Sequence, residues 1–218
     1  MSVRILYGGT FDPVHKGHLA IARAVAAAFD WPVSLLPAAD PPHRRAPGAS
    51  AEQRASMLEL AIGSDPRLHV DRRELNRHGP SYTVDTLAEV RAEIGPDAPL
   101  ICVLGIDSVA QLDSWHDWQR IFSLANVLGV ERPGTGIDPA WLRQQAPAVH
   151  AELLPRWRDI AALAAQASGG YSALAMRPLR AESATEVRER IASGRPWARL
   201  VPPAVAGYIR SAGLYRSG

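Results

Sequence analysis

Residues Gly8 to His18, GGTFDPVHKGH, decide the fold of this chain. A short apolar run (Val3, Ile5, Leu6, Tyr7) precedes them, and an alanine-rich pattern with helical spacing, Leu19 to Phe29, follows. A strand, a tight glycine turn and a helix start are therefore packed into one segment. In α/β proteins that junction binds phosphate, because free backbone N–H groups and the positive end of the helix dipole converge there. His15 and His18 lie three apart at the helix entrance, so a single turn places both beside a bound phosphate. No GK[ST] follows the glycines, which excludes a Walker loop.

The rest of the composition narrows the class. The 218 residues fit one domain, large enough to bury a core without disulfides. A net charge of +2, from 24 basic and 22 acidic residues, is too small to argue for a nucleic-acid surface. Lys16 is the only lysine, so arginine carries the remaining positive charge. Cys102 stands alone, with no CxxC partner, inside the apolar run Leu100–Leu104, where a buried small hydrophobe is expected and not a reactive thiol. No secretory h-region and no apolar run of about eighteen residues is present, so the expectation is a cytoplasmic enzyme without membrane contact.

Apolar runs alternate with helical patterns, which predicts an α/β fold, a Rossmann-like doubly wound parallel sheet with crossover helices on both faces and a C-terminal helical part. Strands are expected at Val3–Tyr7, Val33–Pro37, Leu68–Val70, Leu100–Gly105, Val127–Val130 and Tyr171–Ala175. Helices are expected at Gly17–Phe29, Ala51–Ile62, Thr83–Ile94, Trp118–Ser123, Ala184–Ala192 and Pro203–Ala212. Ser50 with Gln53 forms a capping-box pattern, and Gly95-Pro96 stops the third helix. Residues 134 to 170, broken by Pro139, Pro147 and Pro155, read as an inserted helical lobe within a single domain spanning 1 to 218. The closing segment around Tyr208, Leu214 and Tyr215 reads as packing.

Other constellations gather around the first. Ser183-Ala184-Thr185-Glu186-Val187-Arg188 opens a helix, and its two hydroxyls, helix-end N–H groups and arginine make a second phosphate cradle. Asp40-Pro41-Pro42-His43-Arg44-Arg45 follows the second strand as a basic, proline-rich loop. Gly105-Ile106-Asp107-Ser108 ends the fourth strand, where α/β ligand crevices lie, and Asp107 can accept from a ribose. Trp115 follows a loop-like Asp-Ser and can stack on a flat heteroaromatic ring, whereas Trp118 is assigned to the core. Ser81-Tyr82-Thr83 begins the third helix, with Thr83 or Ser81 as its cap, and a helix-end amide there suits a ligand carboxylate. Asp12, an anion, is no phosphate ligand, and Pro13 shapes the turn.

The spacing Gly-Gly-x-Phe-Asp-Pro-x-His-x-Gly-His resembles the signature of the HxGH nucleotidyltransferase superfamily. SATEVRER resembles that superfamily's late S[ST]xxxR element. The PPH[KR] element, the SYT at the third helix, the GxDxxxxLxxW pattern and the RPG at Arg132 resemble those of bacterial nicotinate-nucleotide adenylyltransferases. The resemblance implies transfer of the adenylyl group of ATP to nicotinate mononucleotide, giving deamido-NAD and pyrophosphate, with Mg²⁺ bound on the ATP phosphates. It implies His15, His18 and Arg188 as catalytic residues. Gly8, Gly9, Thr10, Phe11, Gly105, Asp107, Ser183 and Thr185 would complete the ATP site. His43, Arg44, Ser81, Tyr82, Thr83, Trp115, His116 and Arg132 would bind the mononucleotide, with Trp115 stacked on the pyridine ring. Small molecules are the only partners implied, and assembly into a homo-oligomer stays open.

Several alternatives stand beside this reading. Phosphopantetheine adenylyltransferases share the opening chemistry but usually carry threonine where this chain has His15. Class I aminoacyl-tRNA synthetases need a lysine-rich KMSKS loop, which a chain with a single lysine lacks. Nicotinamide mononucleotide is the nearest competing acceptor, and a nucleotide sensor without turnover is the reading from another class.

Overall fold

The computed structural model describes residues 2–39, 48–77, 79, 81–136 and 138–216. Six strands, β1 (Arg4–Gly9), β2 (Val33–Pro37), β3 (Leu68–Val70), β4 (Leu100–Gly105), β5 (Asn126–Val130) and β6 (Tyr171–Leu174), form one parallel sheet in the order β3-β2-β1-β4-β5-β6. The order reverses between β1 and β4, the switch point at whose carboxyl ends doubly wound sheets open a ligand crevice. The expected α/β Rossmann-like class is therefore the observed one.

Alternation along the strands builds two cores. Ile5 and Tyr7 of β1 and Ile101 and Val103 of β4 face one side, where α1 (Lys16–Phe29), α2 (Ala51–Ile62) and the C-terminal segment pack. Leu6, Leu100, Cys102 and Leu104 face the other, against α3 (Thr83–Ile94) and the short α4 (Ile106–Val109) and α5 (Ile121–Leu124). Cys102 is buried as expected, and burial pushes its thiol up to about 12. Between β5 and β6 run α6 (Pro139–Gln145), α7 (Pro147–Leu153) and α8 (Ile160–Leu163), and α9 (Ala184–Ala192) and α10 (Pro203–Ser211) close the chain. The fully buried Asn126 ties the connection between α8 and β6 to the start of β5, donating to the carbonyls of Leu163 and Gln166 and accepting from Gly170 N–H.

The Ser50–Gln53 capping box and the Gly95 stop occur as predicted, the latter at φ 84°. Three local expectations are corrected. The expected helix Trp118–Ser123 is a 3-10 turn, Trp118–Arg120, followed by α5, because Asp117 enters it in the left-handed region at φ 46°. The cap of α3 is Tyr82, through its extended backbone and without a side-chain bond, so neither Ser81 nor Thr83 is the cap. Trp118 is half-buried at the rim of the second core, in the same setting as Trp115.

Candidate active site

Gly8 and Gly9, expected in the turn, are the last residues of β1 and pair with Leu36 and Pro37 of β2; the turn that follows passes through Phe11 at φ 50° and delivers His15 to the N-cap of α1. Phe11 is buried, edge-on to both Tyr7 and His18, and forms the floor under the histidine pair. The two imidazoles stack with centroids 3.6 Å apart. The His15 backbone N–H donates to His18 Nδ1 at 3.3 Å, so the neutral His18 ring carries its proton on Nε2, free to donate. Both ring nitrogens of His15 are buried and have no hydrogen-bond partner among the described residues. Gly17 makes this possible, because a Cβ there would lie 3.0 Å from His15 Nδ1 and 3.4 Å from the Glu182 carbonyl.

Burial, reinforced by the positive charge of Arg132, pushes the His15 imidazole down to about 3. Burial, then His15 and Arg132, holds His18 well below the usual histidine range. Both rings are neutral donors in the free protein at pH 7. The unfolded chain, with ordinary histidines, takes up protons between pH 6.5 and about 3 that native His15 refuses, so stability rises with pH across that window. The Tm of the parent therefore falls on going from pH 7.5 to 5, and it falls less in His15→Asn. Parallel Tm–pH curves for the two proteins would contradict the buried neutral ring.

Two cavities open on this turn. The larger, of about 720 Å³, is lined by Gly8, Gly9, Thr10, Phe11, His15, His18, Gly105, Asp107, Ser183, Thr185 and Arg188. The sequence thus brings its whole expected ATP set to one wall. Ser183 caps α9 by accepting from Glu186 N–H at 3.1 Å, which commits one of its lone pairs. Arg188 donates to the Asp12 carbonyl at 2.5 Å, which holds its guanidinium against the glycine turn. Arg132, expected with the mononucleotide set, lines this larger cavity instead and meets Asp107 Oδ2 at 3.3 Å. A Cβ on Gly105 would meet the Asp107 carboxylate and lie 2.9 Å from Arg132 Cδ, so any larger residue there would displace this pair from its present arrangement.

The smaller cavity, of about 260 Å³, is lined by Ser81, Tyr82, Thr83, Trp115 and His116, with Leu6, Leu104 and the buried Glu74. The Tyr82 and His116 rings lie 4.4 Å apart. Ser81 Oγ is buried without a partner among the described residues, beside the first turn of α3, whose N–H groups have no intrahelical acceptor. The two cavities share Gly8, Gly9, Thr10, Gly105 and Ser108 as a common wall. His43 and Arg44 lie outside the described residues.

Three contributors escaped the sequence reading. Asp12 is no phosphate ligand, yet its buried carboxylate accepts from Gly48 N–H (2.8 Å), Ala49 N–H (3.1 Å) and the Tyr215 hydroxyl (2.7 Å). Tyr215, read as packing, is thus a hydrogen-bond anchor behind the turn, and burial together with Asp12 raises its phenol. Arg54 binds the turn from beneath. Nothing local to Tyr215 signals its partner 203 residues away. For Arg54 the signal was present, since an arginine falls on the inward stripe of α2 with Met57, Leu58 and Ala61.

Removing the phenol tests the anchor. A buried hydrogen bond to a charged group is worth about 1.5–3 kcal/mol. At about 2–4 °C per kcal/mol for a domain of this size, Tyr215→Phe lowers the Tm by roughly 3–12 °C. An unchanged melting curve would show that the hydroxyl anchors nothing.

A parallel sheet switching at β1/β4, with the glycine–histidine turn at the switch, defines a class: the cytidylyltransferase-like proteins, whose family model matches residues 6–190. A protein of Stenotrophomonas maltophilia named "Probable nicotinate-nucleotide adenylyltransferase" is 49% identical, covering 100% of this chain and 98% of its own. A protein of the same name from Chromobacterium violaceum is 47% identical, covering 99% and 100%. Among solved structures, the Plasmodium falciparum nicotinic acid mononucleotide adenylyltransferase complexed with NaAD superposes with a TM-score of 0.74 at 17% identity, over 99% of this chain and 98% of that one, and shares the fold. The chain belongs to the cytidylyltransferase-like family and, within it, to the nicotinate-nucleotide adenylyltransferases.

Proposed function

We propose that the protein transfers the adenylyl group of ATP to nicotinate mononucleotide, forming deamido-NAD and pyrophosphate. The observation that carries this reading is the pair of cavities sharing one glycine wall. One is rich in donors suited to polyphosphate, and the other is aromatic with a helix N-terminus suited to a small carboxylate. The two reacting phosphates meet at Gly8–Thr10.

The mononucleotide phosphate oxygen attacks the α-phosphorus of ATP in line, and the bond to the pyrophosphate oxygen breaks. No protein nucleophile takes part, so catalysis is positioning plus stabilisation of charge growing on the phosphate oxygens. His18 Nε2–H, His15, Arg188 and the amides opening α9 supply the donors. Arg132 adds positive charge beside Asp107. Trp115 covers the pyridine ring, and Ser81 with the first-turn amides of α3 receives its carboxylate.

Among the described residues no group of three or more His, Cys, Asp or Glu is placed to hold a metal ion, and the Asp12 carboxylate is already engaged. In this reading Mg²⁺ would be carried by the ATP phosphates, beside the His15, His18 and Arg188 donors. When bound it neutralises polyphosphate charge.

Direct transfer is tested with ATP carrying a single α-phosphorothioate stereoisomer and nicotinate mononucleotide as acceptor. Inversion at phosphorus, with deamido-NAD and pyrophosphate formed in equal amounts, is expected. Retention would require a covalent adenylyl-protein and overturn this mechanism, and the absence of deamido-NAD would overturn the function.

A further inference from the structure

Arg54 is among the largest fully buried side chains, with 1% of its surface exposed, and it lines neither cavity. A guanidinium taken out of water is costly unless its donors are satisfied. Here the donors go to backbone carbonyls: Nε to Ala49 (3.3 Å), Nη1 to Thr10 (2.8 Å) and Ala38 (2.5 Å), and Nη2 to Ala39 (2.9 Å). These carbonyls belong to three separate segments: the turn after β1, the end of β2 and the approach to α2. Each lies where the chain has left its ladder or not yet begun its helix, so no regular partner awaits it. The Ala38 N–H donates in turn to the Gly9 carbonyl at 3.0 Å, binding the end of β2 to the same turn.

The opposite charge does the complementary work nearby. Asp12 gathers the amides of Gly48 and Ala49, so Ala49 is held by its N–H through Asp12 and by its carbonyl through Arg54. The turn carrying Thr10 is thereby fixed from both ends. Thr10, with Gly8 and Gly9, is the wall that both cavities share.

We propose that Arg54 is a positioning residue for adenylyl transfer: by clamping the Thr10, Ala38, Ala39 and Ala49 carbonyls it sets the Gly8–Thr10 wall against which the two reacting phosphates align. The proposal rests on the function proposed above. Because the guanidinium touches neither substrate, its loss leaves each substrate's binding largely in place and disturbs their mutual alignment. A misplacement of about 1 Å between reacting groups costs on the order of 10² in rate. A lysine keeps the charge but, as a single donor head on a flexible stem, cannot bridge three segments.

The test compares the parent with Arg54→Lys and Arg54→Ala, measuring kcat, the KM for ATP and for nicotinate mononucleotide, and the Tm of each. In Arg54→Lys, kcat falls about thirtyfold while each KM changes less than about threefold. In Arg54→Ala, millimolar methylguanidinium restores part of kcat. Parent-like kcat in Arg54→Lys overturns the proposal. So does a loss that disappears when the assay is run well below the variant's Tm, since the role is then stability alone. A rise in either KM that accounts for the whole loss also overturns it, by showing a binding role. A parent inactive with nicotinate mononucleotide strikes the proposed function itself and removes the proposal with it.

Discussion

His18→Ala lowers kcat about 10²–10³-fold, the scale on which a single preorganised donor contributes to a charged transition state. The ring is half-buried between His15 and Phe11, its Nδ1 is committed to the His15 amide, and its remaining N–H lies in the wall of the larger cavity. A donor fixed in this way costs no reorganisation when charge develops on the phosphate. Because the interaction strengthens in the transition state, kcat falls with kcat/KM and the KM for ATP moves little. His18→Asn, which can still donate a hydrogen bond, retains more activity than the alanine variant. A loss smaller than about tenfold in His18→Ala would remove this ring from the catalytic role.

Trp115→Ala separates the two substrates. The indole packs on the second core with one side and lines the smaller cavity with the other, at the end of a 3-10 turn (Leu112–Ser114) that holds it from behind. Aromatic stacking on a flat base or ring is worth about 1–3 kcal/mol. The KM for nicotinate mononucleotide therefore rises roughly five- to 150-fold while the KM for ATP stays within about twofold. Titration of both substrates against the purified variant reads the split directly. An equal rise in both would mean that the indole holds the fold and not the ring.

Much of the architecture is written in short-range patterns. Apolar runs such as Leu100–Gly105 locate the strands because both faces of a parallel sheet are buried. The spacing in Ala51–Ile62 and Thr83–Ile94 locates helices, and Ser50 and Gly95 mark ends through local hydrogen bonds and backbone freedom. The glycine–histidine turn and the Ser183–Arg188 element are legible for the same reason, since each is built within one stretch of chain. Contacts made across the fold are not. The bond of Tyr215 to Asp12, the four carbonyls gathered by Arg54 and the place of Arg132 beside Asp107 depend on which segments the sheet order brings together. That order is a tertiary result with no local signature. Trp118 shows the converse limit: left-handed backbone at Asp117 ends the regular spacing and leaves the indole at the rim.

The central claim is that the two cavities hold ATP and nicotinate mononucleotide for direct transfer. Its most direct measurement is pyrophosphate release from ATP and Mg²⁺ with nicotinate mononucleotide, nicotinamide mononucleotide and phosphopantetheine offered in parallel. The predicted result is strong release with the nicotinate compound, with kcat/KM well above that for the amide and none with phosphopantetheine. Equal rates with acid and amide would contradict the carboxylate site assigned to Ser81–Thr83, and silence with all three despite ATP binding would contradict the enzyme itself.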